Sequence, residues 1–368
     1  AHELAAFSAW AGIPAYFAFA FGVVRDYWSP MRLGDRGYFI LFGALSAAVF
    51  AIYAFVPVSL AMMLAVSIVG TIGFLFLWGG WNGLGSVIGQ RYAMSGQISA
   101  LWNFAGTVTI FAALMFGGVL SDWLEAFPLN TAVRILFLLV AGVMALIAFA
   151  GFWKPASVYA HLDDAPASRR SPLADLSRLV RHRAIYPALA IWLLWNFSPG
   201  GSTVLQYYMS NTLHASDAQW GAYNAISSAA AVPAFILFGW LSPRVSLSKL
   251  LWWGAAVAVP QCIPLLLFHS ANGMLVAGVG VGLLGGVATA AYMDLLIRSC
   301  PKGLEGTMMM MSWSLFALAV NLGNLLGTEI YEVGGFAICI VATTIVYAAI
   351  LPIIPFIPRA LIAAADGV

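Results

Sequence analysis

Eleven apolar stretches, each long enough to cross a bilayer as a helix, run through this 368-residue chain and leave it few folds to choose from. A helical crossing takes about 20 predominantly apolar residues. Such stretches fall near residues 4–24, 37–57, 59–89, 93–121, 131–153, 186–212, 218–241, 248–269, 272–299, 305–330 and 335–357. Gly and Pro inside them are tolerated, because neighbouring helices satisfy the backbone groups they free. Charged residues make up 8% of the chain, against about 25% in soluble domains, too few to cover a soluble surface. The expected fold class is therefore an all-α polytopic membrane protein.

Several function classes drop out at this level. The net charge is +2 and the basic residues sit in short loops, so no face is built for nucleic acid. Cys262, Cys300 and Cys339 fall in or at the end of three different apolar segments, which offers neither a disulfide framework nor a CxxC metal pair. The five histidines are scattered, with His2 and His269 at segment ends and no metal-ligand partner three or four residues away. No Gly-rich loop ends in Lys-Ser or Lys-Thr, the signature of a phosphate cradle. The expectation is a protein that is not an enzyme and carries neither cofactor nor metal.

Topology follows from the polar stretch between Lys154 and Arg183, which holds six of the sixteen Lys and Arg residues. Counting alternate connections, Arg25, Arg32 and Arg36, then Arg91, then this stretch, then Arg244 and Lys249, then Arg298 and Lys302, then Arg359 all fall on one side. The opposite connections hold no basic residue, and only Arg134, about one turn inside the fifth segment, departs from the pattern. The positive-inside rule places the basic side in the cytoplasm. This divides the chain into a half-bundle at 1–153, a cytoplasmic linker at 154–185 and a second half-bundle at 186–368. The expected setting is a bacterial inner membrane. Five segments precede the linker and six follow it, so a bundle of two six-helix halves predicts that the first helix is missing from this sequence, leaving eleven spans. The halves also echo each other: Phe21-Gly22 and Phe238-Gly239 each end a segment before a short basic turn. Internal repeats of this kind build many secondary transporters.

The connection Gly22-x3-Asp26 followed by Arg36 is similar to the cytoplasmic signature of the major facilitator superfamily, in which an Asp at one helix end meets an Arg at the next helix start. A solvated topogenic turn is the plainer reading of the same charges. Finer features resemble the folate–biopterin transporter branch. They are Gly22-x3-Asp26-x3-Pro30 with Arg36 and Tyr38; Pro199 and Tyr207-Tyr208 in the sixth segment; and Cys300-Pro301-x-Gly303-x-Glu305-Gly306-Thr307, with Asn321 further on. The resemblance implies acidic residues in the helix before Arg91, but WGGWNGLGSVIGQR is neutral there, with Asn82 at its centre.

What the resemblance implies is a secondary active transporter that moves a small organic solute by alternating access. By the same analogy the helices carrying Trp78, Trp81, Trp102, Trp195, Tyr207 and Trp313 border a central cavity, with Asn82, Asn103, Asn196, Gln206 and Asn321 near them in sequence. An amphipathic aromatic cavity suits an aromatic or amphiphilic solute, while each aromatic taken singly is equally served by helix packing. Protons are the default coupling ion, with Asp294 and Glu3 as carriers. Asp294 is also four residues before Arg298, so an intrahelical pair near the interface is an equal alternative. Glu305 reads as a helix-start carboxylate and Met308 to Met311 as adaptable packing. Gly278, Gly282 and Gly286 form a smooth helix face, as do Gly79 with Gly83 and Gly85 with Gly89. Asp26, Arg36, Arg134 and Arg298 are the candidate gating residues, with Asp26 and Arg36 expected to engage each other or the helix ends around them as part of an inner gate. Arg134 either snorkels outward or closes an outer gate with Asp122, Glu125, Glu3 or Glu329. The rival function is a non-transporting membrane assembly or delivery factor built on the same fold. Expected partners are a small-molecule substrate and the lipid bilayer, with no nucleic acid.

Overall fold

A computed structural model of the chain describes residues 12–155, 158 and 172–367, and the described residues form only helices, turns and bends. The α-helices are α1 (Ala18–Tyr27), α2 (Asp35–Tyr53), α3 (Leu60–Arg91), α4 (Ser95–Leu124), α5 (Leu129–Ala150), α6 (Pro172–Arg181), α7 (Ile185–Asn196), α8 (Ser202–Asn211), α9 (Asp217–Leu241), α10 (Leu247–Ala258), α11 (Ala271–Ser299), α12 (Glu305–Ala348) and α13 (Arg359–Ile362). Short 3₁₀ turns follow α1, α10 and α12. Among the described residues, seven helices are long and apolar enough to cross a membrane, the last of them running from Glu305 to Phe356.

The expected segments and the observed helices differ where the backbone is broken. The segment expected at 186–212 is two helices, α7 and α8, separated by Phe197 to Gly201 around Pro199. The Gly200 amide, which the break removes from helical bonding, donates to the Thr343 hydroxyl at 2.7 Å, so the interruption costs no buried donor. The segments expected at 305–330 and 335–357 are the two helical stretches of α12, separated by a sharp break at Gly335, whose φ of 72° suits glycine, and the Cys339 thiol beyond the break donates to the Gly327 carbonyl before it. The C-terminal part of the segment expected at 248–269 is a 3₁₀ helix, Val259–Leu266, with Pro260 and Pro264 denying it α-type hydrogen bonds. Glu3 and residues 4–11 of the segment expected at 4–24 lie outside the described residues, as does the side chain of Asp122.

The described residues pack as two compact units. One comprises residues 1–88, 115–181 and 300–314, the other 89–114, 182–299 and 315–368. Helices α4 and α12 therefore each begin in one unit and continue in the other.

In the first unit the α1–α2 turn is fixed by Tyr38. This residue is 1% exposed and its hydroxyl donates to the carbonyls of Trp28 at 2.6 Å and Val24 at 3.1 Å. Helices α2 and α5 meet at Gly43, where a Cβ would lie 2.8 Å from the backbone nitrogen of Ala148. Ala18, Leu75 and Met310 form a small core flanked by Phe21, Trp78 and Trp313. Here α1 crosses the start of α12 at two glycines, since a Cβ on Gly22 would collide with the Gly306 carbonyl.

In the second unit α9 starts at a capping box, with Ser216 and Gln219 bonding each other's backbone amides at 3.2 Å and 2.9 Å. It then lies along the glycine face of α11. A Cβ on Gly278 would meet the Tyr223 ring at 3.0 Å, one on Gly282 would collide with the Ser227 carbonyl, and one on Gly286 would meet Ala234 at 2.9 Å. Without a hydrophobic drive between helices in lipid, such close backbone contact is what holds them together.

Gly22→Ala should therefore destabilise the protein by about 1–3 kcal/mol, the cost of overpacking a tight contact, read as a lower thermal midpoint in detergent. Gly106→Ala is the control, because a Cβ there meets nothing within 4 Å; it should leave the midpoint unchanged or raise it. Equal effects of the two substitutions would contradict the close crossing.

Candidate functional site

Asp26 ends α1 with its side chain 1% exposed. A buried carboxylate needs donors or a cation, and this one has both. Oδ1 accepts from the Gly306 amide at 3.0 Å and Oδ2 from the Thr307 amide and hydroxyl, each at 2.7 Å. Arg25 Nη1 completes the set at 2.9 Å. Burial pushes the Asp26 carboxyl above its ordinary range, and every partner, being a donor, works against that shift by favouring the carboxylate. The two amides belong to the first turn of α12, where unpaired N–H groups and the helix dipole favour negative charge. The same guanidinium makes a two-pronged bond to Asp35 at the start of α2, Nε to Oδ1 and Nη2 to Oδ2, both at 2.7 Å. Burial disfavours its charge, but Asp35 and Asp26 outweigh that and raise the Arg25 pKa above its ordinary value. Glycine makes the room: a Cβ on Gly83 would overlap the guanidinium, and one on Gly306 would lie 2.6 Å from both Arg25 Cδ and Asp26 Oδ1.

Arg36 does not bond Asp26. It donates to the carbonyls of Gly151 at 3.0 Å and Phe152 at 2.8 Å, at the C-terminal end of α5, where a cation opposes the negative end of the dipole. The linker helix α6 is anchored beside this cluster. Asp175 accepts from the Tyr27 hydroxyl at 2.9 Å and pairs with Arg178 at 3.3 Å, and Arg178 also donates to the Lys302 carbonyl. Both carboxylate oxygens of Glu305 accept from the Gly303 amide at 2.9 Å, one turn before α12.

The second unit carries a cluster of like composition. Asp294 is fully buried on α11 and takes Arg298 Nε at 2.8 Å. The Nη2 atom of the same guanidinium reaches Asp366 Oδ1 at 2.7 Å. Asp366 Oδ2 accepts from the Gln97 amide at 3.0 Å and Oδ1 from Gly96 at 3.3 Å, in the first turn of α4. Each cluster thus joins two carboxylates and one guanidinium to the start of a helix. Sequence reasoning passed over Asp366 because nothing local marks it: it meets Gly96 only through the fold, 270 positions away.

The expected cavity residues fall into separate groups. In the first unit Trp78 stacks on Phe74 and meets Trp313 at a ring distance of 5.4 Å, while Asn82 is buried beside them and Trp81 is 44% exposed. In the second unit Trp195 is packed between Tyr292 at 5.4 Å and Tyr347 at 4.9 Å. Trp102 is half-buried on α4. Asn82, Asn103, Asn196 and Asn321 each donate Nδ2 to the carbonyl four residues earlier on their own helix, at 2.7–2.8 Å. Gln206 and Tyr207 line an open cavity of about 630 Å³ between α8 and α12, together with Thr203, Asn211, Tyr331 and Glu332. Arg134 donates Nε to the Ala54 carbonyl at 3.3 Å, at the end of α2, with its guanidinium 5.1 Å from the Phe55 ring centroid.

Asp26→Asn removes the charge that faces α12. Hydrogen bonds to charged groups are worth about 1.5–3 kcal/mol, or one to two decades in an opening equilibrium. Hydrogen exchange of a peptide spanning Gly306 and Thr307 should rise by about that factor. Unchanged exchange would show that Asp26 does not cap the helix.

A family model described as Major Facilitator Superfamily matches residues 3–328. No curated protein sequence matches the chain. Among solved structures, the human organic anion transporter MFSD10 (TETRAN) is 18% identical, covering 95% of this chain and 87% of its own, with a TM-score of 0.62. The E. coli fucose:proton symporter FucP is 15% identical, covering 97% and 95%, with a TM-score of 0.66. A bacterial homologue of the iron transporter ferroportin, in its outward-facing state, is 14% identical, covering 96% and 90%, with a TM-score of 0.68. At these identities the likeness is one of fold.

Proposed function

The chain belongs to the major facilitator superfamily, and from that premise we propose that it is a secondary active transporter moving a small organic solute, aromatic or amphiphilic, by alternating access. It is an integral membrane protein and not an enzyme. The proposed moving parts are two half-bundles, residues 1–153 with five spans and 186–368 with six, joined by the cytoplasmic linker 154–185. The folate–biopterin branch is not carried forward as a substrate assignment, because the helix around Asn82 lacks the acids that the resemblance implies.

One observation carries this reading. Asp26, from the first half in sequence, is bonded to the first turn of α12, from the second half, by contacts that must break together. A carboxylate facing a helix N-terminus holds while the geometry is intact, and the attraction falls away within the first turn of the helix. Such a bond suits a latch between two states, and Arg25 with Asp35 keeps the cluster's charge accounted for when it opens. Solute is proposed to meet the polar and aromatic groups at Trp78, Asn82 and Trp313 in one unit and at Gln206 and Tyr207 in the other. Protons are the coupling ion to test first.

The experiment is saturable uptake into proteoliposomes of a panel of small aromatic and amphiphilic solutes, with and without an imposed pH gradient. The expected result is saturable flux of at least one solute, with Asp26→Asn lowering it about tenfold or more at unchanged expression. Tight solute or pigment binding with no flux from either side would overturn transport in favour of an assembly or delivery factor.

A further inference from the structure

The two halves echo each other at Phe21-Gly22 and Phe238-Gly239, but the echo is incomplete in one respect. Four residues after Gly22 stands Asp26; four residues after Gly239 stands Pro243, and the turn from Ser242 to Ser246 contains no acid. The packing around the two sites is nevertheless alike. Gly22 abuts the start of α12 at Gly306. Gly239 abuts the start of α4, where a Cβ would lie 3.0 Å from the Ala100 Cβ, and one turn on a Cβ at Gly96 would lie 2.5 Å from Ser242. The second site therefore presents a helix start to a turn that has lost its carboxylate.

Residues 359–367 supply one. Asp366 is 4% exposed and makes the bonds to Gly96, Gln97 and Arg298 that Asp26 makes to Gly306, Thr307 and Arg25. Its own amide donates to the Ser242 carbonyl at 2.9 Å, which seats it on the turn that lacks the acid, and the next amide, Gly367, reaches the Ala93 carbonyl at 2.6 Å. Arg298 Nη1 bonds the strap's backbone at Ala364, 2.9 Å away. The segment also buries Ile362, and an open cleft of about 280 Å³ lies against it, lined by Gln90, Ala93, Ser95 and Arg298 together with strap residues such as Leu361 and Ala364.

We propose that Arg359–Gly367 is a strap that latches the start of α4 to α11, with Asp366 standing in for the acid missing from the second repeat, and that the strap must lift before these two helices can part. The proposal rests on the alternating-access reading, which gives the parting of α4, from the first half, and α11, from the second, its purpose. Asp294 remains as the partner of Arg298 when the strap leaves, so the guanidinium is never left unpaired. The strap differs from the Asp26 latch in what must move. Asp26 is fixed to the end of a membrane helix, whereas Asp366 sits on a segment beyond the four-residue helix α13.

The test uses the full chain in lipid nanodiscs. Asp366→Asn should raise hydrogen exchange of a peptide spanning Gly96 and Gln97 about tenfold or more, the factor carried by a lost charge-assisted bond. A peptide spanning Gly306 and Thr307 should be unaffected, and Asp366→Glu should stay near the parent value. Opening is read at Ala290→Cys. Position 290 is fully buried and its carbonyl accepts from the Ser99 hydroxyl of α4 at 2.7 Å. A membrane-impermeant maleimide should label this cysteine about tenfold faster or more when Asp366→Asn is added. Unchanged exchange at Gly96 and Gln97 would show that the strap does not hold α4. Raised exchange without faster labelling would reduce the strap to a static cap and equally overturn the proposal. Neither readout needs a substrate, so absence of flux in the uptake experiment would count against transport while leaving the strap's result intact.

Discussion

Everything near the ends of α1, α4, α11 and α12 depends on the neutralisation of buried carboxylates by helix N-termini. A carboxylate removed from water without partners costs several kcal/mol. Each cluster contains two carboxylates and one guanidinium, leaving one negative charge in excess. A helix N-terminus contributes roughly half a positive charge, concentrated on the free amides of its first turn. The excess is therefore met only if α12 starts at Asp26 and α4 starts at Asp366. The placement of two long helices is set by this requirement, and the glycines follow from it, because a side chain at Gly83, Gly96 or Gly306 would occupy the space that the charged groups need. Arginine rather than lysine suits the central position: a planar fork can bond two carboxylates at once, as Arg25 and Arg298 do.

The rest of the helix packing answers a different constraint. Lipid removes the hydrophobic drive between helices, so contact must come from backbone approach. That is why α9 lies against Gly278, Gly282 and Gly286, and why Gly327 admits the Pro199 carbonyl where the chain breaks between α7 and α8. The break itself is stable because Thr343, in the stretch of α12 beyond Gly335, donates its hydroxyl to its own helix at Cys339 and accepts from Gly200. A backbone interruption in an apolar setting thus becomes a fixed joint, and it points α8, with Gln206 and Tyr207, toward an open cavity instead of continuing the line of α7.

What could be read from the sequence was what is local. Composition and segment length gave the membrane class, and a four-residue repeat gave the glycine face of α11, because both depend only on neighbours along one helix. Asp26 and Arg36 were legible as groups that engage each other or the helix ends around them, and it is helix ends that both meet. Arg36 faces the carbonyls of Gly151 and Phe152, Asp26 the start of α12, and the adjacent Arg25, not Arg36, takes Asp26 and Asp35 together. Periodicity shows which helix face a residue occupies, not which other face meets it. Of the aromatic residues expected to border one cavity, Trp195 packs against two tyrosines and Trp81 is 44% exposed. The amide nitrogens of the asparagines near them bond the carbonyl one turn back, a choice always open to Asn in a helix.

The two clusters reach the same charge balance by unequal means, and that inequality has a physical consequence. In the first unit both acids lie on helix ends within ten positions of Arg25, so the cluster is rigid and can open only if α1 moves against α12 as a body. In the second unit one acid comes from α11 itself and the other from a segment 68 positions beyond Arg298, tied down through a few backbone bonds over a cleft. Freeing a short strap restores chain entropy that freeing a membrane helix does not. Of two latches alike in charge, the second is therefore the easier to release. An echo in the sequence, read together with the one acid it lacks, marks where the fold is built to yield first.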